Sequence, residues 1–268
     1  MRASAGRAAS AEGYEGWDEY APFYDWENAR TLGKRDVPFW RNLALQAGGP
    51  VLELGCGTGR ISLPLGRAGV RLVGIDRSEA MLTRARARTK RARLSANVSL
   101  IRGDIRFTPF PAFCFSMVMA PYGILQSLLR ERDLKATLSE VHRVLEPGGT
   151  FGIELVADLP SWKEYKKRLS LKGWRGRRGG AHVTLVETVR QDPARHLTIF
   201  EQEFTERSGS RKRVHRFALT FRTLSVPQMV RRLEKSGFEI TALLGDYRGR
   251  AWDPRADVWV ILARAPRH

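Results

Sequence analysis

The chain has 268 residues, of which 43% are hydrophobic, and its formal net charge is +18. This length suits one large α/β domain with an insertion. Its two cysteines, Cys56 and Cys114, exclude the dense disulfide framework of a small secreted domain and fit a cytoplasmic protein. No apolar run approaches the length that crosses a bilayer, so we expect no membrane-spanning segment.

The N-terminal residues predict a tail followed by a helical lid. Residues 1–16 are small and polar with scattered arginines and lack the apolar core of a secretion signal, so we expect a disordered tail. Apolar spacing over residues 17–49 predicts two helices, Trp17–Ala29 and Lys34–Ala47. We expect these helices to form a lid on the domain that follows.

The segment Val51–Arg60 reads VLELGCGTGR and has the most specific pattern in the chain. Its apolar start predicts a buried strand, and three glycines at alternate positions predict a sharp turn into a helix. Such a turn lets a ligand approach the backbone closely, and the free N–H groups of the new helix point at that ligand. The pattern predicts the floor of a nucleotide-like cofactor site. Arg60 stands where the dinucleotide fingerprint has its third glycine.

Strands and helices alternate up to residue 156. We predict strands at 50–54, 71–75, 98–102, 115–120 and 150–156, and helices at 59–68, 78–93 and 133–145. This order predicts a parallel sheet with right-handed crossovers. Asp76 ends the second strand about 20 residues after the first glycine, a spacing at which a carboxylate accepts hydrogen bonds from a ribose diol. By themselves these features leave NAD and S-adenosylmethionine (SAM) as alternatives.

The pattern changes to period-two strands after residue 156. We predict an antiparallel meander of about three strands, at Ala181–Val189, Leu197–Arg207 and Arg211–Arg222. In the first strand, Glu187 interrupts an apolar face. A helix then begins after Ser225, which has Gln228 at the capping-box position, and two last strands are predicted at 238–244 and 258–263. We therefore expect five parts: tail 1–16, lid 17–49, α/β core 50–156, inserted meander 157–224, and the C-terminal part of the core, 225–268.

Basic residues are concentrated at 84–93, 163–178 and 207–216. Such clusters are typical of a nucleic-acid or polyanion surface, or of solvated helix faces and loops. The second interpretation is favoured because the arginines of 84–93 fall on the polar face of an amphipathic helix. The clusters also lack interleaved aromatic residues on which bases would stack.

Four motifs in order resemble the class I SAM-dependent methyltransferase family: ELGCGTG at 53–59, the strand end at Asp76, GDIR at 103–106 and LEPGG at 145–149. The resemblance covers about Tyr20 to Ala263. It implies a Rossmann-like, seven-stranded α/β sheet with helices on both faces and an edge hairpin formed by the last two strands. It also implies that SAM binds at the carboxyl ends of the first strands.

The resemblance implies a set of cofactor contacts. Asp76 would hold the ribose hydroxyls, Asp104 would accept from the adenine amino group, and Ile105 would stack on the ring. The full set of expected contacts is Tyr24, Glu53, Gly55, Cys56, Gly57, Asp76, Arg77, Met81, Asp104, Ile105 and Ala120.

The acceptor side is less defined. Residues 20–25 are similar to a Y-x-x-x-YD lid segment. Residues 119–123 are similar to a segment of bacterial small-molecule methyltransferases, including amino-sugar N-methyltransferases, in which a histidine often stands where this chain has Ser127. The candidates for a catalytic group are Tyr24, Tyr122 and His215, and we expect no metal site. In its predicted strand, His215 is an even number of positions away from the apolar residues, so we expect it on the same face of the strand as they are.

The favoured hypothesis is therefore an enzyme that transfers a methyl group from SAM to N or O of a small-molecule acceptor, mainly by positioning and desolvation. We expect it to act as a monomer or homodimer. An RNA or DNA methyltransferase that uses the basic surface is the alternative. A SAM-binding module without activity and a dehydrogenase are further alternatives.

Overall fold

The computed structural model describes residues 13, 15–31, 33–157, 164–176 and 180–267. Most of the predicted tail lies outside these residues. Gly13, near its end, is packed closely enough that a Cβ atom there would lie 2.3 Å from the carbonyl oxygen of Ser127. The described part of the chain thus begins before the expected lid.

The described residues form eleven strands and six α-helices. In chain order the strands are β1 (Val51–Leu54), β2 (Leu72–Asp76), β3 (Val98–Arg102), β4 (Phe115–Ala120), β5 (Leu145–Leu155), β6 (Tyr165–Arg175), β7 (Ala181–Asp192), β8 (Leu197–Ser208), β9 (Arg211–Arg222), β10 (Glu239–Leu244) and β11 (Trp259–Arg264). The helices are α1 (Trp17–Asn28), α2 (Val37–Ala47), α3 (Ser62–Arg67), α4 (Glu79–Arg91), α5 (Glu131–Val144) and α6 (Val226–Lys235).

Seven strands form the main sheet in the order β10-β11-β5-β4-β1-β2-β3. The strands β1 to β5 pair in parallel, whereas β11 pairs antiparallel with both β5 and β10. The predicted seven-stranded sheet with an edge hairpin is confirmed. Because β1 lies between β2 and β4 and all three are parallel, the loops that follow these strands meet at one edge of the sheet.

Helices cover both faces of this sheet, as predicted. Leu52 belongs to an apolar cluster with Leu138 of α5 and Met229 of α6. Its neighbour Val51 points to the opposite face and belongs to a second cluster with Trp40 of α2. Successive residues of a strand point to opposite faces of the sheet, so a parallel sheet between two helix layers buries all of them. No described helix is long and apolar enough to cross a membrane.

Two predicted helix caps are confirmed. The Ser78 hydroxyl accepts a hydrogen bond of 3.1 Å from the Met81 N–H at the start of α4. Ser225 and Gln228 form a capping box at the start of α6. Some boundaries are wrong: β5 begins at Leu145 rather than Thr150, because Leu145 already pairs with Phe115 of β4. The helices α2 and α3 each begin three residues later than predicted, at Val37 and Ser62.

The inserted sheet has four strands in the order β6-β7-β8-β9, not three. The missed strand, β6, pairs antiparallel with β7. Five of its eleven residues are basic, its register with β7 shifts twice, and Lys167 has a positive φ of 52°. The sequence of β6 therefore does not show the period-two pattern by which the other strands of this sheet were predicted.

The inserted sheet and the lid share one core. Phe23 and Trp26 of α1 pack with Leu185 of β7 and Phe204 of β8, and the rings of Phe23 and Phe204 lie 4.5 Å apart between centroids. The lid helix therefore lies under the inserted sheet and joins it to the main domain.

Candidate active site

A cleft of about 940 Å³ lies at the carboxyl ends of the parallel strands. Its floor is the glycine turn after β1 together with the ends of β2 and β3. The loop after β4 and the lid helix form its sides, and β7, β8 and β9 roof it. The roof contributes mainly Glu187, Phe200, Gln202, Leu219 and Phe221.

The glycine turn forms a low floor for this cleft. Gly55, Gly57 and Gly59 have φ angles of +64°, +53° and +78°, a region that residues with a Cβ atom rarely adopt. A Cβ atom on Gly57 would meet nothing closer than the Gly55 carbonyl oxygen at 4.0 Å, since this position faces the cleft. Gly57 is therefore a point where a ligand can lie directly on the backbone.

Asp76 is fixed at the end of β2 by two backbone donors. Its Oδ2 accepts from the Gly57 N–H at 2.8 Å, and its Oδ1 accepts from the Ser78 N–H at 2.8 Å. Burial raises the pKa of Asp76, and the backbone donors partly oppose this shift. Each carboxylate oxygen has a second lone pair, and the residue lines the cleft, so it can accept two further hydrogen bonds.

Asp104 also lines the cleft, but it is already paired. Its carboxylate lies 3.0 Å from Nη1 of Arg77 and 2.8 Å from Nη2 of Arg106, which also contacts Asp133 at 2.9 Å. Burial raises the pKa of Asp104, but the Arg106 hydrogen bonds outweigh it and the pKa is lowered. Arg77, Met81 and Ile105 line the same end of the cleft.

Three of the expected cofactor contacts lie beneath the floor instead of lining the cleft: Glu53, Cys56 and Ala120. Glu53 accepts a hydrogen bond from the Ser62 hydroxyl, and its burial raises its pKa to about 8. Cys56 packs closely on Gly74, since a Cβ atom added to Gly74 would lie 2.8 Å from the Cys56 sulfur. In these buried positions the three residues can support the glycine turn.

The two tyrosines proposed as catalytic groups line the cleft, and Arg60 lies close to both of them. The Arg60 guanidinium forms a two-point ion pair with Asp36, at 2.6 and 2.7 Å, and lies 5.6 Å from the ring centroid of Tyr122. Burial raises the pKa of both Tyr24 and Tyr122. Both phenols are therefore protonated at neutral pH, where they can donate hydrogen bonds.

His215 lies away from the residues that line the cleft. Its ring is 4.9 Å from that of Phe23 between centroids, and its Nε2 lies 3.1 Å from Oε2 of Glu206. It shares the face of Phe217, as its parity indicates, but that end of the sheet is beyond the cleft. Ser127, in contrast, does line the cleft.

The contacts that hold the lid were not predicted from the sequence. Asp18 of α1 accepts from the Ser78 hydroxyl at 2.6 Å and from the Ala80 N–H at 3.0 Å, at the start of α4. Asp25 contacts Arg88 at 2.6 Å. These partners are far apart in the chain, and although Asp25 ends the Y-x-x-x-YD segment, nothing in that segment identifies its partner.

A second missed feature is a pair of carboxylates under the roof. Glu27 of α1 and Glu187 of β7 both line the cleft, and the Gln202 side chain of β8 joins them. The only sequence signal was the interruption of an apolar face by Glu187.

Comparison with known proteins agrees with this architecture. Residues 51–149 match the family described as "Methyltransferase domain". The CcbJ methyltransferase of Streptomyces caelestis has a TM-score of 0.80 at 23% identity, covering 96% of this chain and 100% of that one. The sugar N-methyltransferase KedS8 of a Streptoalloteichus species has a TM-score of 0.75 at 13% identity, covering 99% of this chain and 98% of that one.

Among curated relatives, the demethylmenaquinone methyltransferase of Listeria welshimeri is 33% identical over 159 residues, which are 55% of this chain and 64% of the relative. A sterol 24-C-methyltransferase of Gibberella zeae matches over 32% of its own length. The chain thus spans less than two thirds of these curated relatives. Residues 51–149 are thus similar to a methyltransferase domain, and the chain as a whole has the fold of the class I SAM-dependent methyltransferases.

Proposed function

We propose that this chain is a SAM-dependent methyltransferase that transfers a methyl group to N or O of a small-molecule acceptor. The observation that carries the proposal is the contact between Gly57 and Asp76 at the floor of a roofed cleft. An open backbone position beside a carboxylate with spare lone pairs suits a nucleoside, whose ribose donates two hydrogen bonds.

The residues at the floor fit SAM in detail. Asp76 would hold the ribose hydroxyls, Met81 and Ile105 supply apolar surface beside the base, and Gly57 leaves room for the amino-acid part, whose space Gly55 also lines. Asp104 retains lone pairs for an adenine amino group, although Arg77 and Arg106 compete for them. When bound, SAM supplies the methyl group and a sulfonium leaving group.

The protein's contribution to such a transfer is to position the acceptor and exclude water. The aromatic side chains of Tyr20, Tyr24 and Phe200 enclose the space above the floor, and the inserted sheet covers it. A roof of this kind favours a small acceptor over a polymer. KedS8 is named a sugar N-methyltransferase and CalS10 an amino pentose methyltransferase, which fits this size class.

A nucleic-acid acceptor receives less support. Arg86 and Arg88 of the first basic cluster contact Glu79 and Asp25. Their charge is therefore partly compensated within the protein.

The experiment measures release of the demethylated product from SAM with a panel of small amines, small alcohols and duplex or structured nucleic acids. We expect turnover with a small molecule and none with nucleic acid. Turnover of a nucleic acid that falls steeply with salt would contradict the small-molecule proposal.

We further propose that the enzyme acts in the cytoplasm as a monomer or homodimer. Both cysteines are free, Cys56 buried and Cys114 partly exposed, which fits a reducing compartment. Light scattering during size-exclusion chromatography would measure the mass, and a trimer or larger assembly would contradict this part.

A further inference from the structure

Two carboxylates face each other under the roof of the cleft. The Gln202 Nε2 donates to Oε1 of Glu27 at 3.0 Å and to Oε2 of Glu187 at 2.8 Å. Glu27 belongs to the lid, and the other two residues belong to the inserted sheet. Glu187 is 9% exposed and Gln202 4% exposed, yet all three line the cleft.

The other hydrogen-bond partners of the pair are neutral. The Tyr20 hydroxyl donates to Glu27, and the Tyr165 hydroxyl donates to Glu187. In the part of the chain that the structure describes, neither carboxylate forms an ion pair, although the protein as a whole carries a net charge of +18. Buried carboxylates without a cation are costly, so a positive ligand would be stabilised there.

The Gln202 amide gives an independent indication of a ligand. Its Nε2 donates to both carboxylates, which fixes the orientation of the amide. Its Oε1 is buried and has no hydrogen-bond partner among the described residues. A buried acceptor without a donor is uncommon in folded proteins, and here it lies in a cleft wall beside two carboxylates. The site therefore offers acceptors and negative charge together.

We propose that Glu27, Glu187 and Gln202 bind the protonated amine of the acceptor, so that the methyl group is transferred to nitrogen. This inference rests on the proposed function and specifies the acceptor. An ammonium group offers two or three N–H donors and a positive charge, which match the carboxylates and the Gln202 oxygen. A hydroxyl offers one donor and no charge, and a phosphate would be repelled.

The same residues account for the proton that an ammonium must lose. One N–H bond of the bound amine breaks and an O–H bond forms on the Glu27 carboxylate. The nitrogen lone pair then bonds to the methyl carbon while the C–S bond of SAM breaks and its electrons remain on sulfur. The product leaves as a methylated ammonium, and the proton on Glu27 passes to water.

The environment of Glu27 suits this proton transfer at neutral pH. Burial and the nearby Glu187 raise the pKa of Glu27 to about 7, and the Gln202 hydrogen bond opposes the shift. The titratable groups that face Glu27 are Tyr20 on its own helix, Glu187 on β7 and Tyr122 after β4. We therefore expect amine binding to strengthen as pH rises through about 7, while the amine itself stays protonated.

The test uses a matched pair of probes, cyclohexylamine and cyclohexanol, with protein saturated with the demethylated product of SAM. Calorimetric titrations in amine-free buffer at pH 8 compare the wild type with Glu27→Gln, Glu187→Gln and Glu201→Gln. Glu201 lies next to Gln202 in β8 but is exposed and paired with Arg190, so its variant is the control.

We expect the wild type and the Glu201 variant to bind the amine more tightly than the alcohol. Each of the other two variants should weaken amine binding about tenfold, the size of one lost charged contact. All four proteins should bind the demethylated product equally. Failure to bind that product would refute the proposed function itself. Product binding without amine binding, equal binding of amine and alcohol, or full amine affinity in both variants would overturn this inference alone.

Discussion

The backbone N–H of Gly57 donates a 2.8 Å hydrogen bond to the Asp76 carboxylate, which joins the turn after β1 to the end of β2. The bond fixes the carboxylate beside the one glycine of the turn where an added Cβ atom would meet only open space. Two segments 19 residues apart thus form one surface for a ligand.

Substitution of Gly57 by valine should abolish SAM binding and leave the fold intact. The side chain would project into the cleft, and the left-handed backbone would cost about 1–2 kcal/mol of stability. Gly69→Val is the matched control, because Gly69 also has a positive φ, of +85°, and open space around it, but lies outside the cleft. Urea unfolding should show similar losses for both variants, and calorimetry should show binding only in the control. Retained binding in Gly57→Val would show that the turn is not the cofactor floor.

The buried Glu53 should make stability fall as pH rises. Its pKa is raised to about 8 in the folded state by burial, against 4.5 for the free side chain. Between these values the folded state holds a proton that the unfolded state releases, so folding is progressively less favourable up to about pH 8. Glu53→Gln should remove this slope, an effect on the order of a few kcal/mol.

The check is the free energy of unfolding of both proteins from pH 5 to pH 9. We expect the free energy of unfolding of Glu53→Gln to increase relative to that of the wild type as pH rises. Parallel curves would show that Glu53 does not titrate in this range.

Glu131 should show the opposite dependence on pH. It contacts Arg232 of α6 at 2.9 Å and Arg222 of β9 at 2.5 Å, and so links the inserted sheet to the main domain. The Arg232 hydrogen bond is the largest cause that lowers the pKa of Glu131, to about 2, and Arg222 adds to it. The stabilisation is therefore complete above the unfolded pKa and is lost as pH falls toward 2.

Glu131→Gln should lower the free energy of unfolding by only about 1 kcal/mol at pH 7, because the side chain is 39% exposed and solvent screens the pair. The loss should be much smaller near pH 2, since the wild-type carboxylate becomes protonated there. Glu79→Gln is the control, since it removes an exposed pair with Arg86 within one helix. Urea unfolding at both pH values measures the two variants. An equal cost for Glu131→Gln at both would contradict the ion-pair account.

The sequence predicted the main sheet well because its elements have strong local signals. Burial on both faces gives short apolar strands, and capping residues such as Ser78 and Ser225 mark helix starts. The strand β6 was missed because an edge strand with many basic residues does not need the alternating pattern that burial imposes.

The candidate site was only half predictable, for a physical reason. The cofactor side depends on one turn and the next strand end, which are close in sequence. The contact between Glu27 and Gln202 joins residues 175 positions apart, and no periodicity reveals such a pair. His215 was assigned to the correct face of its strand, but parity gives no position along the strand relative to the cleft.

Calorimetric titration of SAM and NAD into the wild type, Asp76→Ala and Asp192→Ala tests most directly whether the cleft binds SAM through Asp76. Asp192 is the last residue of β7, where its side chain accepts from the Arg195 N–H, and it serves as the control. We predict that the wild type and the Asp192 variant bind SAM and not NAD, and that Asp76→Ala binds SAM at least about tenfold more weakly. Undiminished SAM binding by Asp76→Ala, or binding of NAD in preference to SAM, would contradict the account.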